Sequence, residues 1–255
     1  MTATARSSDG CELVWTDAGA GEAVLLVHGF ASTLRRNWQT TGWMDALARA
    51  GFRAIAYDQR GHGDSGKRYE PADYGPQRLV DDALAVLAAA KVERAAVMGY
   101  SMGARVALEV ALTHADRVQA MILSGVGPHM RDFGGPSGDR EIVAGALEAD
   151  DPSGFPPAAR FYRTFAEQNH QDRRALAACW RRPIRAVTRE DLEAVAMPTL
   201  VAVGDRDGVA GDASPLARAI PGARLVLLQG KDHMTAVGAK QHREAVIAFL
   251  RESLH

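Results

Sequence analysis

Short apolar runs in this chain alternate with longer stretches in which apolar residues return every three or four positions. Ala23–Val27, Arg53–Tyr57, Ala95–Met98, Ala120–Leu123, Thr199–Val203 and Leu225–Leu228 are near-continuous apolar runs. A strand with one wet face would show a polar residue at every second position. Runs without that alternation predict strands covered on both faces, as in a parallel sheet. Between them, Gln77–Ala90 sets Leu79, Ala83, Val86 and Leu87 on one side of a helix. Gly103–Thr113 and Gly238–Glu252 carry the same period, the latter through Val246, Phe249 and Leu250. Strand–helix alternation of this kind predicts an α/β fold, a mostly parallel twisted sheet flanked by helices and joined by right-handed crossovers. Glu12–Trp15 predicts an earlier, antiparallel edge strand.

The rhythm fails between Pro128 and Met197. The first part, to Pro157, is rich in glycine and proline, and Arg160–Glu193 then has helical tendency with an interruption at Pro183. An unstructured loop of that length is uncommon in a compact domain. The pattern predicts a small helical cap over residues 128–197, inserted in a core made of residues 1–127 and 198–255.

Composition narrows the function classes. With 255 residues the chain can bury one large core. Its formal net charge of -1 supplies no global basic field, so neither nucleic acid nor an anionic membrane is expected as a partner. No apolar stretch approaches the roughly 20 residues of a membrane span. The polar start lacks the apolar centre of a secretory signal, and a cytoplasmic location is expected. Cys11 and Cys179 form neither a metal-ligand spacing nor a disulfide framework and read as free thiols. No His-x-x-x-His pair or Asp-x-Asp cage occurs, and Gly61-His62-Gly63 lacks the lysine and hydroxyl of a phosphate loop. Neither a metal nor a cofactor is expected.

Candidate chemistry begins at Gly99-Tyr100-Ser101-Met102-Gly103. Gly-x-Ser-x-Gly is weak alone, but here it falls where a strand ends and a helix begins. That is the setting of a nucleophile elbow, a strained turn that lifts one hydroxyl above the sheet. Glycines fit on either side because strand and helix approach too closely for a side chain. Ser101 would then stand at the carboxyl ends of the strands, where open α/β sheets bind ligands. A serine hydroxyl is a poor nucleophile at neutral pH and needs an adjacent base.

Together with Leu26-Val27-His28-Gly29-Phe30 and Tyr57-Asp58-Gln59-Arg60-Gly61-His62-Gly63-Asp64-Ser65-Gly66, the elbow resembles the α/β-hydrolase superfamily over nearly the whole chain. The resemblance implies an acid and then a histidine, in the order Ser, Asp, His. In that family the acid usually stands three residues after the glycine ending its strand, which selects Asp207, with Asp205 as the other candidate. The terminal Gly-x-x-His pattern selects His233. His233 would take the Ser101 proton, Asp207 would fix its tautomer, and the backbone N–H groups of Phe30 and Met102 would form the oxyanion hole.

The resemblance implies a serine hydrolase acting on a small to medium carboxylic ester through an acyl-enzyme. Lactone or enol-lactone hydrolysis, cofactor-free perhydrolysis and carbon–carbon bond hydrolysis are alternatives on the same fold. A non-catalytic ligand receptor is the rival from another class. Epoxide hydrolases and haloalkane dehalogenases of the family carry aspartate at the elbow, and carbon–carbon bond hydrolases commonly carry asparagine before the serine. Ser101 and Tyr100 weigh against each in turn.

The other polar residues invite structural readings. Asp58 and Arg60 are expected to form a local ion pair, and Asp64, Asp81 and Asp82 to be solvated or to cap helices. His28 and His62 are expected to order their loops; His114, His129, His170, His242 and His255 read as surface or helix-end residues. Phe155, Phe161, Tyr162, Phe165 and Trp180 would glue the insertion to the sheet. Its arginines (160, 163, 173, 174, 181, 182, 185 and 189) read as a solvated face, with an electropositive lid favouring acidic substrates as the alternative.

Overall fold

The computed structural model describes residues 2–128 and 139–254. Its strands are β1 (Ala3–Arg6), β2 (Glu12–Ala18), β3 (Ala23–Val27), β4 (Arg53–Tyr57), β5 (Ala95–Tyr100), β6 (Val118–Ser124), β7 (Thr199–Gly204) and β8 (Arg224–Leu228). They form one sheet in the order β1-β2-β4-β3-β5-β6-β7-β8. β1 and β2 pair antiparallel and β2 joins β4 antiparallel; every later pairing is parallel. The order places β5 centrally, with β3 on one side and β6 on the other, so its carboxyl end opens between two neighbouring strand ends.

All five residues of β3 and all six of β5 are buried, as expected of strands covered on both faces. One face packs against α2 (Pro76–Ala89) and α3 (Met102–Thr113), joining Leu25, Val27 and Val97 to Leu79, Ala83, Val86 and Leu87. The other face packs against α1 (Trp43–Arg49) and α10 (Lys240–Leu254), joining Leu26 and Met98 to Trp43, Leu47, Val246 and Phe249. β8, the edge strand, departs from the fully buried pattern: Leu227 is 48% exposed and only Leu228 is buried.

The insertion contains α4 (Asp139–Glu148), α5 (Pro157–Gln168), α6 (Arg173–Trp180) and α7 (Arg189–Glu193). Residues 129–138 of the expected cap, His129 among them, and His255 lie outside the described residues. Helix α4 falls in the glycine- and proline-rich first part of the expected cap. Its last carbonyls, those of Ala146 and Leu147, accept hydrogen bonds from the Arg163 guanidinium, which reaches across from α5. The insertion is also not uniform. Val187, Leu192 and Val195 around α7 pack into the core on the α2–α3 face, whereas α4, α5 and α6 gather Val143, Leu147, Ala166 and Leu176 about Phe30 and Met102. The final helices of the core are α8 (Ser214–Ala219), α9 (His233–Ala236) and α10.

Two further expectations need correction. The solvated arginine face holds only in part: Arg160, Arg174, Arg185 and Arg189 are exposed, but Arg163 and Arg182 are buried at 5% exposure. Arg181 bridges Glu141 and Glu148, and Arg185 bridges Glu109 and Asp191. Glu109, Glu141 and Glu148 precede the arginine-rich stretch in sequence and Asp191 follows it. They remove the basis for an electropositive lid built on Arg181 and Arg185. His242, expected at a surface or helix end, is fully buried between Ser124 Oγ at 2.9 Å and the Ala236 carbonyl at 3.1 Å. Cys11 and Cys179 are free and buried. Among the described residues, no helix is long and apolar enough to cross a membrane.

Candidate active site

Ser101 stands between β5 and α3 with φ of 53° and ψ of -115°. Only a few other non-glycine residues share the positive φ, and a side chain in that region is strained. The strain is held by packing on both sides. A Cβ on Gly99 would collide with the Gly103 carbonyl, and one on Gly103 with the Val27 carbonyl. The Ser101 N–H donates to the Ser124 carbonyl at 2.8 Å, which ties the turn to the end of β6.

Two distant loops bring the partners. After β7 the chain turns so that Asp207 is buried, and its Oδ1 accepts from the Val209 and Ala210 N–H groups at 3.0 and 2.8 Å. That leaves Oδ2 to face His233 Nδ1 at 2.8 Å. His233 begins α9, whose N-cap Asp232 accepts from the Met234 and Thr235 N–H groups. Its Nε2 lies 3.2 Å from Ser101 Oγ. With Nδ1–H donated to the carboxylate, Nε2 carries the lone pair and faces the hydroxyl. The structure therefore brings together Ser101, His233 and Asp207. Asp205 is elsewhere: it is exposed and accepts from the Lys231 N–H at 3.2 Å.

Phe30 lines the cavity that holds the Ser101 hydroxyl, and Met102 follows Ser101 in the chain. Met102 opens α3, where an N–H has no carbonyl one turn back to bond, and the helix N-terminus adds a favourable dipole for negative charge. Phe30 lies in the loop after β3, and its ring packs edge-on against Trp180 and Tyr162 of the insertion and against His62. Asn169 donates to the Ala31 carbonyl at 3.1 Å, another tie from the insertion to that loop.

The loop after β4 braces the same region, by contacts that differ from the expected Asp58–Arg60 pair. Asp58 is buried and accepts from the Leu34 N–H at 2.7 Å and the Asp64 N–H at 2.9 Å. It thus ties the segment following Phe30 to the glycine-rich loop. Arg60 turns the other way, onto Asp82 at 2.6 Å and Asp9 at 2.8 Å. Asp82, expected to be solvated or capping, is 1% exposed; Asp64 is exposed and Asp81 accepts from Ser8 Oγ and Gln77. The Asp58 carboxylate is already engaged by those two main-chain N–H groups, so the near neighbour in sequence was the wrong partner. His28 Nε2 accepts from the Gln59 N–H at 3.0 Å, and His62 Nδ1 sits 3.0 Å from the Arg60 carbonyl. Burial lowers the pKa of both rings, which therefore sit neutral in their loops.

Tyr100 has a role that its difference from asparagine does not reveal. Its hydroxyl donates to the His233 carbonyl at 2.6 Å and its ring tilts against the imidazole. A large phenol one residue before the nucleophile was the available signal.

The hydroxyl and imidazole open into a cavity of about 740 Å³. Phe161, Tyr162, Phe165 and Trp180 of the insertion line one part of it, and Arg36, Asn37, Thr40 and Thr41 another. A cavity of that size, mostly apolar with few polar groups, suits a small to medium organic molecule. Among the described residues, no group of three His, Cys, Asp or Glu side chains gathers in a way that would hold a metal ion.

Comparison with known proteins agrees with this architecture. A family model described as the alpha/beta hydrolase fold matches residues 22–145. An epoxide hydrolase of Caballeronia sordidicola is 38% identical over 115 residues, covering 45% of this chain and 34% of that protein. The match thus spans about a third of that relative's length. The non-heme chloroperoxidase CPO-A1 of Kitasatospora aureofaciens is 29% identical over 90% of this chain and 91% of its own. Among solved structures, a hydrolase from Pseudomonas aeruginosa superposes with a TM-score of 0.78 at 28% identity, covering 98% of both chains.

Proposed function

The chain belongs to the α/β-hydrolase superfamily, and from that premise we propose that it is a serine hydrolase cleaving a small to medium carboxylic ester. The observation that carries the reading is the continuous line from Asp207 Oδ2 through His233 to Ser101 Oγ, with links of 2.8 and 3.2 Å. Both lie within hydrogen-bond reach of a nucleophile–base–acid relay.

The steps follow from that line. His233 Nε2 takes the Ser101 proton as Oγ attacks the ester carbonyl carbon. The carbonyl oxygen becomes an oxyanion facing the Phe30 and Met102 N–H groups. Removing one such donor in other hydrolases costs about 3 to 4 kcal/mol of barrier lowering. Collapse of the intermediate expels the alkoxide, which takes the proton from the imidazolium. Water then attacks the acyl-enzyme with His233 as base, releasing the acid and restoring the serine. Asp207, held by two backbone N–H groups, keeps the imidazole oriented and stabilises its protonated form. Helices α4 to α6 serve as the cap, its aromatic residues forming one wall of the acyl or alcohol site.

An epoxide hydrolase reading conflicts with a hydroxyl at the elbow, where the opening of the ring would call for a carboxylate. Perhydrolysis is a second reading, favoured by the near full-length likeness to the chloroperoxidase. Hydrogen peroxide would replace water, giving a peracid and the free serine. Labelling with a fluorophosphonate, followed by peptide mapping, tests the shared first half of both readings: one adduct per chain on Ser101 is expected, and an adduct elsewhere or none contradicts it. Peracid formation from acetate and peroxide separates the second reading from the first.

A further inference from the structure

We propose that the substrate carries a carboxylate remote from the scissile bond, and that Arg36 and Asn37 recognise it. The inference rests on the ester hydrolase reading above and adds the substrate's charge.

The five-residue turn Arg35–Gln39 is a π-helix directly after the loop that holds Phe30, and it presents Arg36 and Asn37 to the cavity containing Ser101 and His233. The widened turn of a π-helix is a local irregularity found frequently at functional sites. Asn37 is 6% exposed, yet its side-chain amide makes no hydrogen bond to any described residue, although its main chain does. The amide lines the cavity and is open to it, so a ligand oxygen can accept from its NH₂ group.

Arg36 is the second observation. Its backbone N–H donates to Thr33 Oγ1, but its guanidinium has no acidic or other partner among the described residues. Its contrast with the cap arginines is direct, since Arg181 and Arg185 are each bridged to two carboxylates. The described residues that line the cavity include two arginines, 36 and 182, and no aspartate or glutamate. A guanidinium offers parallel N–H groups that match the two oxygens of a carboxylate, and an adjacent amide can donate a third hydrogen bond. The neighbouring threonines do not compete for that role: Thr40 and Thr41 each donate their hydroxyl to a main-chain carbonyl of the same turn. The aromatic side chains of Phe161, Phe165 and Trp180, which line the same cavity, would hold the apolar portion of the same molecule.

Binding to Ser101→Ala protein tests this without turnover. Monomethyl adipate and dimethyl adipate differ only in one free carboxylate. Calorimetric titration is expected to show the monoester binding about three- to fivefold tighter than the diester, a modest ratio in keeping with an arginine at a solvent-facing mouth. Adding Arg36→Ala is expected to erase the difference, Asn37→Ala to narrow it, and Arg36→Lys to keep part of it. Raising salt should reduce the preference, as for any partly screened charge. Equal binding of the two esters, a preference that survives Arg36→Ala, or no binding of either overturns the proposal. Fluorophosphonate labelling of the unmodified protein is read separately, so loss of the carboxylate preference with intact labelling at Ser101 leaves the hydrolase reading standing.

Discussion

The Tyr100 hydroxyl donates to the main-chain carbonyl of His233 at 2.6 Å, joining the residue before the nucleophile to the residue that would serve as its base. The phenol is buried, and burial holds it firmly in the protonated, donating form by raising its pKa well above the usual value. Tyr100→Phe removes the donor and leaves the carbonyl without it. The expected result is a loss of about 1 to 2 kcal/mol of stability. A fall of roughly 3- to 10-fold in kcat with little change in KM is also expected, because the imidazole loses one of its restraints. Urea unfolding and steady-state kinetics on p-nitrophenyl butyrate read both quantities.

Asp207 and Asp205 are two residues apart and separate cleanly by mutation. Asp207→Asn keeps the shape but presents an amide to His233 Nδ1, which favours the wrong tautomer. The expected loss in kcat is about 10³- to 10⁴-fold. Asp205→Asn, whose carboxylate meets only the Lys231 N–H among the described residues, is expected to change kcat by less than about threefold. Reversal of the two effects would move the acid to Asp205.

The buried Arg60 supports the loop that braces Phe30. It is fully buried and paired with Asp82, itself 1% exposed, and with Asp9. Arg60→Ala would strand a buried carboxylate. The expected cost is about 3 to 5 kcal/mol, seen as a drop of roughly 6 to 20 °C in Tm for a chain of this size. Arg78→Ala, which loses only a 3.9 Å contact from an exposed side chain, is the matched control and is expected to shift Tm by less than about 2 °C.

Burial also sets an acid response. It lowers the pKa of His242 to about 4 and those of His28 and His62 below their ordinary value near 6.5. These rings are neutral in the fold and protonate more readily in the unfolded chain. Their contribution is therefore complete above about pH 6.5 and is lost as pH falls toward the folded values, down to about 4 for His242. For His242 alone the loss is about 3 kcal/mol. Asp9, held down to about 2 by the hydrogen bond from Arg60, adds a further loss in the same direction between about pH 4 and 2. Urea midpoints measured from pH 7.5 to 4 are expected to fall, and less steeply in His242→Gln.

Much of this was legible in the sequence, for stated physical reasons. Ala23–Val27 and the end of β5 read as buried strands because no polar residue interrupts them, and the elbow glycines read as contact points because no Cβ fits. What was missed depended on contacts far apart in the chain. β1 is a short polar strand made by pairing with β2, and its own residues carry no apolar signal. Helix α4 is secured by Arg163 from the next helix. Arg60 seeks Asp82, 22 residues away, rather than Asp58, two residues before it. His242 sits on α10 with charged neighbours in sequence, and only the packing against Trp43 and Ser124 shows that it faces inward.

The most direct test is hydrolysis of p-nitrophenyl butyrate by Ser101→Ala protein shown by circular dichroism and Tm to be folded. The account predicts turnover reduced by at least about 10³-fold, to the residual level that binding and the oxyanion donors sustain. Hydrolysis at the unmodified rate would contradict it.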